Sequence, residues 1–261
     1  MPIHLSPAGT PCWFELVSPD PERSISFHRE LFGWQAVPGP AGGGGGAYWF
    51  LRNGNGTLGA LRGLAPGEPR GYWNVYFGVA DVDASLARAE AAGAKRLFDP
   101  FDAPGFGRGA MLTDPVGAVT SLWQAANPGD AGDFVMFEDH AIGWVELAAC
   151  DGDSARDFYR ALLGWDVSES TASGFRYLYF AVEGTRYGGI MPMTKEWGDM
   201  PSHWSVYVPV PDVDACCARA MVLGGTVCVP AFEAPGVGRI ARIDDPAGVG
   251  CYVIRRTSTT G

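Results

Sequence analysis

Ser18-Pro19-Asp20-Pro21-Glu22-Arg23-Ser24-Ile25-Ser26-Phe27-His28-Arg29-Glu30-Leu31-Phe32-Gly33-Trp34 is the stretch whose reading decides the fold. Ser, Pro and Asp open it, a glycine closes it, and Ile25, Phe27, Leu31 and Phe32 fall near one side. That is a helix with start and stop signals. Its ending recurs: Phe32-Gly33-Trp34 matches Leu163-Gly164-Trp165, a difference of 131 (163 − 32). Outward from it, Trp13-Phe14-Glu15-Leu16 matches Trp144-Val145-Glu146-Leu147, and Trp73 matches Trp204. Asp81-Val82-Asp83-Ala84 matches Asp212-Val213-Asp214-Ala215, Gly107-Arg108 matches Gly238-Arg239, and Asp114-Pro115 matches Asp245-Pro246. All share the difference of 131. The period is far too long for a solenoid, so each copy is a domain. The expected division is 1–127, a linker 128–140, and 141–261.

Each half divides again. Alternation over 12–18 reads as a strand, the stretch above as a helix, and 34–37, 48–52 and 57–62 as strands. The order then restarts with a strand at 73–79, an alanine-rich helix at 83–92, and strands near 95–98, 109–113 and 119–123. The chain therefore reads as α+β, four βαβββ modules in two domains.

Composition narrows the class. Hydrophobic residues are 47% and charged residues 18% of the 261, a core-forming balance. No apolar run approaches the roughly 20 residues that span a bilayer, so no membrane partner is expected. Residues 1–12 carry no basic n-region followed by an apolar stretch, so no signal peptide is expected. A net charge of −10 argues against a nucleic-acid partner. The six cysteines form no C-x-x-C pair. They read as free, mostly buried thiols of a cytoplasmic protein.

The helix quoted above resembles the first helix of the vicinal-oxygen-chelate superfamily, which includes glyoxalase I, bleomycin-resistance proteins and extradiol dioxygenases. Gly107-Arg108 followed by Thr113-Asp114-Pro115-Val116-Gly117 resembles its late hairpin. Val79-Ala80-Asp81-Val82-Asp83 resembles the entry to its second helix. The resemblance runs through both halves and is similar in layout to tandem actinobacterial proteins, some encoded near antibiotic biosynthesis genes. It implies two cups, each a curved mixed sheet with outer helices. It also implies where metal ligands would stand: Trp13, Asn74 and Ser121 in the first half, Trp144, Ser205 and Tyr252 in the second. None is a His or a carboxylate, and divalent metals there need oxygen anions or imidazole. No cofactor is expected. A divalent metal enters only if the ligands are displaced, for instance to Glu15, Glu146 or His203.

Residues i and i+2 of a strand share a face, so Glu15 lies beside Trp13 and Glu146 beside Trp144, lining the cups. One reading makes them general acids or bases in apolar surroundings. The other ties them to Arg108 and Arg239, or to backbone amides, as a structural pair. Comparing the copies singles out Tyr72 against His203, Asn74 against Ser205, Ser121 against Tyr252, and Gln124 against Arg255. The second cup holds more groups that titrate, and His203 can act near neutral pH. His28, matched to Tyr159, reads as packing. His4 and His140 carry no case for function.

Trp13, Tyr48, Trp144, Tyr179 and Tyr207 fall on strands and give the cups aromatic walls suited to flat apolar ligands. The glycine run Gly42 to Gly46 is expected as a rim or lid over the first cup. The leading expectation is metal-independent binding of an aromatic natural product or metabolite, with the chain as monomer or homodimer. The alternatives are a metal-free tailoring enzyme using Glu146, His203 or Glu15 as acid and base, and a metal-dependent glyoxalase or dioxygenase with displaced ligands.

Overall fold

The computed structural model describes residues 7–40, 46–127, 134–172 and 174–257. The glycine run, apart from Gly46, and His4 lie outside the described residues. The first half runs β1 (Pro11–Ser18), α1 (Pro21–Phe32), β2 (Gln35–Pro38), β3 (Tyr48–Asn53), β4 (Gly56–Gly63), β5 (Tyr72–Gly78), α2 (Val82–Ala91), β6 (Lys95–Arg96), β7 (Phe101–Ala103), β8 (Gly107–Thr113) and β9 (Val119–Ala125). The second runs β10 (Trp144–Ala149), α3 (Gly152–Leu163), β11 (Asp166–Ser170), β12 (Tyr177–Val182), β13 (Thr185–Pro192), β14 (His203–Pro209), α4 (Val213–Val222), β15 (Thr226–Ala234), β16 (Gly238–Asp244) and β17 (Gly250–Arg256). This is the α+β, βαβββ order read from the sequence.

The quoted helix forms for local reasons. Asp20 caps α1 by accepting from the Arg23 amide, Pro21 opens it, and Gly33 ends it in the left-handed region at φ 75°. Asp151 and Gly164 do the same for α3, the glycine at φ 72°.

Each half makes one mixed sheet. The orders are β2-β3-β4-β1-β5-β9-β8-β6 and β11-β12-β13-β10-β14-β17-β16-β15, with β7 also paired to β8. The first strands of the two modules, β1 and β5, pair antiparallel, as do β10 and β14. Modules therefore pair within each half. Register also corrects the repeat. Glu15 faces Ala60 while Glu146 faces Gly189, a difference of 129 (189 − 60). The first half is two residues longer before its β3–β4 hairpin and two shorter after it, so the shift cancels.

The two sheets are back to back. Phe14, Leu16, Val75, Phe77, Val145, Leu147, Trp204 and Val206 point away from the cups and belong to one hydrophobic core spanning both halves. The Phe77 and Trp204 rings lie 5.3 Å apart at its centre. The helices lie outside the cups, but they also cross the seam: α1 packs beside α4 and α3 beside α2. Trp34 donates to the His140 carbonyl (2.6 Å), and Trp165 donates to that of Gly9 (2.7 Å). Tyr159 of α3 donates to Asp114 (2.8 Å), and Ser24 of α1 donates to Asp245 (2.6 Å). The Asp-Pro turns of the sequence motif are thus held by the opposite half. His28, matched to Tyr159, is buried packing as expected, although neither ring nitrogen has a partner.

The six thiols are free, but they are less buried than expected: Cys217 and Cys251 are buried, Cys12 and Cys216 intermediate, and Cys150 and Cys228 exposed. Among the described residues, no helix is long and apolar enough to cross a membrane.

Candidate functional site

Both cups are built on the same four residues. In the first, Trp13 and Glu15 point into the concave face from β1, and the Trp13 indole donates to the Tyr48 hydroxyl (3.2 Å). In the second, the Trp144 indole donates to the Tyr177 hydroxyl (2.9 Å), beside Glu146. Tyr76 and Tyr207 hold matching places on β5 and β14. Glu15 and Glu146 are buried, 4% and 5% exposed.

The cups differ in what holds the glutamate. Arg62 of β4 donates from Nε to Glu15 (2.9 Å) and with both terminal nitrogens to Glu68 (2.8 and 2.8 Å). It also donates to the Gly63 carbonyl (3.0 Å) and the Tyr72 hydroxyl (3.3 Å), so all five N–H groups are engaged. Tyr72 in turn donates to Glu68 (2.7 Å). Burial raises the Glu15 carboxyl above the usual range, and the arginine opposes it. Burial likewise acts on Glu68, but its hydrogen bonds win and it is lowered. This corrects the expected partners. Arg108 and Arg239 point to the helix side, where they pair with Asp83 and Asp214 across 2.9 and 2.6 Å.

Glu146 has no such arginine. Arg62 faces Val17 in register, and Met191 faces Ala148, the residue matched to Val17. Burial raises the Glu146 carboxyl to about 7, opposed only by the hydroxyls of Tyr177 and Tyr207. Around it, Tyr207 stacks on Tyr252, centroids 4.5 Å apart, and Trp144 meets Tyr179 edge-on at 6.0 Å. Ser205 is the cross-strand neighbour of Glu146. His203 lies two residues further along β14. Its Nδ1 is bonded to the Pro201 carbonyl (2.9 Å), and burial lowers its pKa below the ordinary histidine value. It stands at the edge of the first cup's cavity.

That cavity is about 2260 Å³. Trp13, Tyr48, Phe50, Tyr76, Phe101 and Trp123 wall it, with Glu15 and Arg62 on its floor. Phe134, in the segment expected to be a mere linker, closes one side, its ring 5.9 Å from that of Trp13. Exposed Phe98 and Phe106 stand at the mouth. Asn74 and Ser121, expected among ligand-binding residues, are fully buried and do not line the cavity. Ser121 Oγ donates to Asn74 Oδ1 (3.1 Å), and the buried Asn74 Nδ2 has no hydrogen-bond partner among the described residues.

A divalent cation needs several convergent anionic or imidazole donors. Among the described residues, no three His, Cys, Asp or Glu side chains converge. At the floor of the first cup the Glu15 and Glu68 carboxylates already share the Arg62 guanidinium. The donor set does not fit a metal there.

The glyoxalase-like domain family matches residues 13–123, and the glyoxalase/bleomycin resistance protein/dioxygenase superfamily matches residues 141–251. The chain belongs to that superfamily. CFP32 of Mycobacterium tuberculosis, named as a glyoxylase, is 35% identical over 92% of this chain and 92% of its own length. The anthracycline biosynthesis protein DnrV of Streptomyces peucetius is 33% identical over 94% of this chain and 93% of its own. The Mn(II)-bound glyoxalase of Novosphingobium aromaticivorans shares the fold at TM-score 0.66 and 18% identity, covering 97% of this chain and 83% of that one.

Proposed function

We propose that the first cup binds a flat aromatic small molecule, a natural product or metabolite, without a metal ion. The observation that carries this reading is the aromatic-walled cavity of about 2260 Å³ whose floor is a glutamate held by an arginine. Such walls favour planar ligands through stacking and burial of apolar area. Arg62 is saturated by the protein, so it fixes the floor and does not compete for the ligand. Relatives named for anthracycline biosynthesis support a natural-product ligand. Tryptophan fluorescence titration with planar hydroxyanthraquinones tests it. Quenching that disappears in Trp13→Ala supports the reading, and the absence of any response refutes it. Elemental analysis of the purified, ligand-competent chain tests the metal-free part.

A second reading is a metal-free tailoring enzyme. It is favoured by Glu146, a buried carboxyl raised to about 7 with only tyrosine hydroxyls for company. A group poised near neutrality can take and return a proton. Product formation by Glu146→Gln and His203→Ala decides it: full turnover in both removes acid–base chemistry from this cup.

A further inference from the structure

The concave face of the second cup carries its positive charge over its aromatic rings, whereas Arg52, Arg62 and Arg70 line the cavity of the first. Three arginines lie over its aromatic rings. The Arg186 guanidinium is 4.6 Å from the Tyr179 centroid, that of Arg256 is 5.6 Å from Trp144, and that of Arg242 is 6.0 Å from Tyr252. Strand register identifies their counterparts. Arg186 faces Ala181 as Thr57 faces Arg52. Arg242 faces Tyr252 as Met111 faces Ser121, and Arg256 faces Gly238 as Ala125 faces Gly107. The second cup therefore has Ala181 and Met191 in the places of Arg52 and Arg62, and carries three arginines around its aromatic walls instead.

These cations are largely unspent. Among the described residues, Arg186 and Arg256 pair with no carboxylate. Arg256 donates to the Gly143 carbonyl (2.5 Å), and Arg242 stands 3.5 Å from Asp244. In a chain of net charge −10 this grouping opposes the overall field. A guanidinium lying on an aromatic ring presents its N–H fork sideways, in the geometry that takes a carboxylate bidentately. The rings beside it offer stacking surface for the arene.

We infer that the second cup is a ligand site of its own, for a planar aromatic carboxylate, with Arg186 and Arg256 as its anion-binding groups. Glu146 lies beneath, beside Ser205. Its acid form donates a hydrogen bond to the ligand, and its raised pKa keeps that form populated at neutral pH. The inference rests on the second cup's own register and rings, not on the reading of the first cup.

Calorimetric titration of the full chain with 2-naphthoate and with its uncharged counterpart 2-naphthamide tests it. Naphthoate binds about tenfold tighter than the amide. Arg186→Gln and Arg256→Gln, both at exposed side chains, each weaken naphthoate by about tenfold and leave the amide unchanged. Absent naphthoate binding, equal affinity for the two probes, insensitivity to both arginine substitutions, or loss of naphthoate in Trp13→Ala overturns the proposal. Failure of the first cup's reading shows separately, as hydroxyanthraquinone quenching that is missing or indifferent to Trp13→Ala.

Discussion

His28→Tyr should stabilise the chain. His28 is 2% exposed, and both of its ring nitrogens lack partners, Nε2 standing 3.7 Å from Asp245 Oδ2. The repeat shows what a tyrosine does at this place: Tyr159 donates to Asp114 at 2.8 Å. The neighbours correspond, with Phe27, Trp34 and Trp73 around His28 and Phe158, Trp165 and Trp204 around Tyr159. Phe32 is larger than its match Leu163, and Ser24, matched to Ala155, already donates to Asp245 Oδ2, so the new hydroxyl shares that carboxylate with it. Removing orphaned buried nitrogens and adding a hydrogen bond to a carboxylate is worth about 2 kcal/mol net of repacking. For a chain this long that raises Tm by roughly 4–8 °C. The gain also depends on pH. Burial lowers the His28 pKa from 6.5 to about 4. Between those values the unfolded chain binds a proton that the folded chain refuses, so wild-type stability falls as pH drops through the window. The loss reaches roughly 3 kcal/mol. The tyrosine variant lacks this loss, and the gap between the two should widen from pH 7 to pH 4. Scanning calorimetry at several pH values reads it. A Tm equal to or below wild type at pH 7, or a gap constant with pH, refutes the reasoning.

Glu146→Gln acts with the opposite pH sense. The folded pKa of about 7 lies above the ordinary glutamate value of 4.5, so the wild type loses stability as pH rises between them. The variant should match wild type near pH 4 and exceed it by roughly 3 kcal/mol at pH 8, read by urea melts. Naphthoate affinity in the second cup should fall from pH 6 to pH 8 as Glu146 ionises among Tyr177, Tyr207 and Tyr252, and calorimetry on Glu146→Gln should show a flat profile. Arg62→Met, which writes the second cup's residue into the first, strands Glu15 and should cost about 3–5 kcal/mol. Adding Glu15→Gln should recover most of it, and a double-mutant cycle in denaturant measures the recovery. Tyr159→Phe leaves Asp114 short of a donor in the seam and should cost about 1–3 kcal/mol, visible as a lowered urea midpoint.

The fold was largely legible in the sequence because its signals are local. Asp20 and Gly33 state where a helix begins and ends, and their recurrence at Asp151 and Gly164 states that the unit is duplicated. The glutamates were legible as well, since strand alternation alone puts Glu15 beside Trp13. Their partners were not. Arg62 lies 47 residues from Glu15, and only the parallel register of β1 with β4 brings them together. An offset of 131 sets Arg62 against Met193 and the strand register sets it against Met191, so the loss of the arginine shows at either offset, but its reach to Glu15 does not. Asn74 and Ser121 sit on the expected face, but they are buried and bonded to each other through Asn74 Oδ1. Phe134 sits in a stretch without a regular sequence pattern, and its ring reaches the cavity only through the path of the chain. The back-to-back packing has no local signature at all.

That packing has a consequence for how such a chain can change. Four of its polar contacts, the two indole bonds and the two aspartate-turn bonds, lie in the seam, on the faces turned away from the cups. Substitutions in either bowl leave these contacts intact. One bowl can hold its cations at the cavity floor and rim while its twin holds them over its rings. A duplicated frame of this kind is free to evolve two different pockets from one ancestral plan.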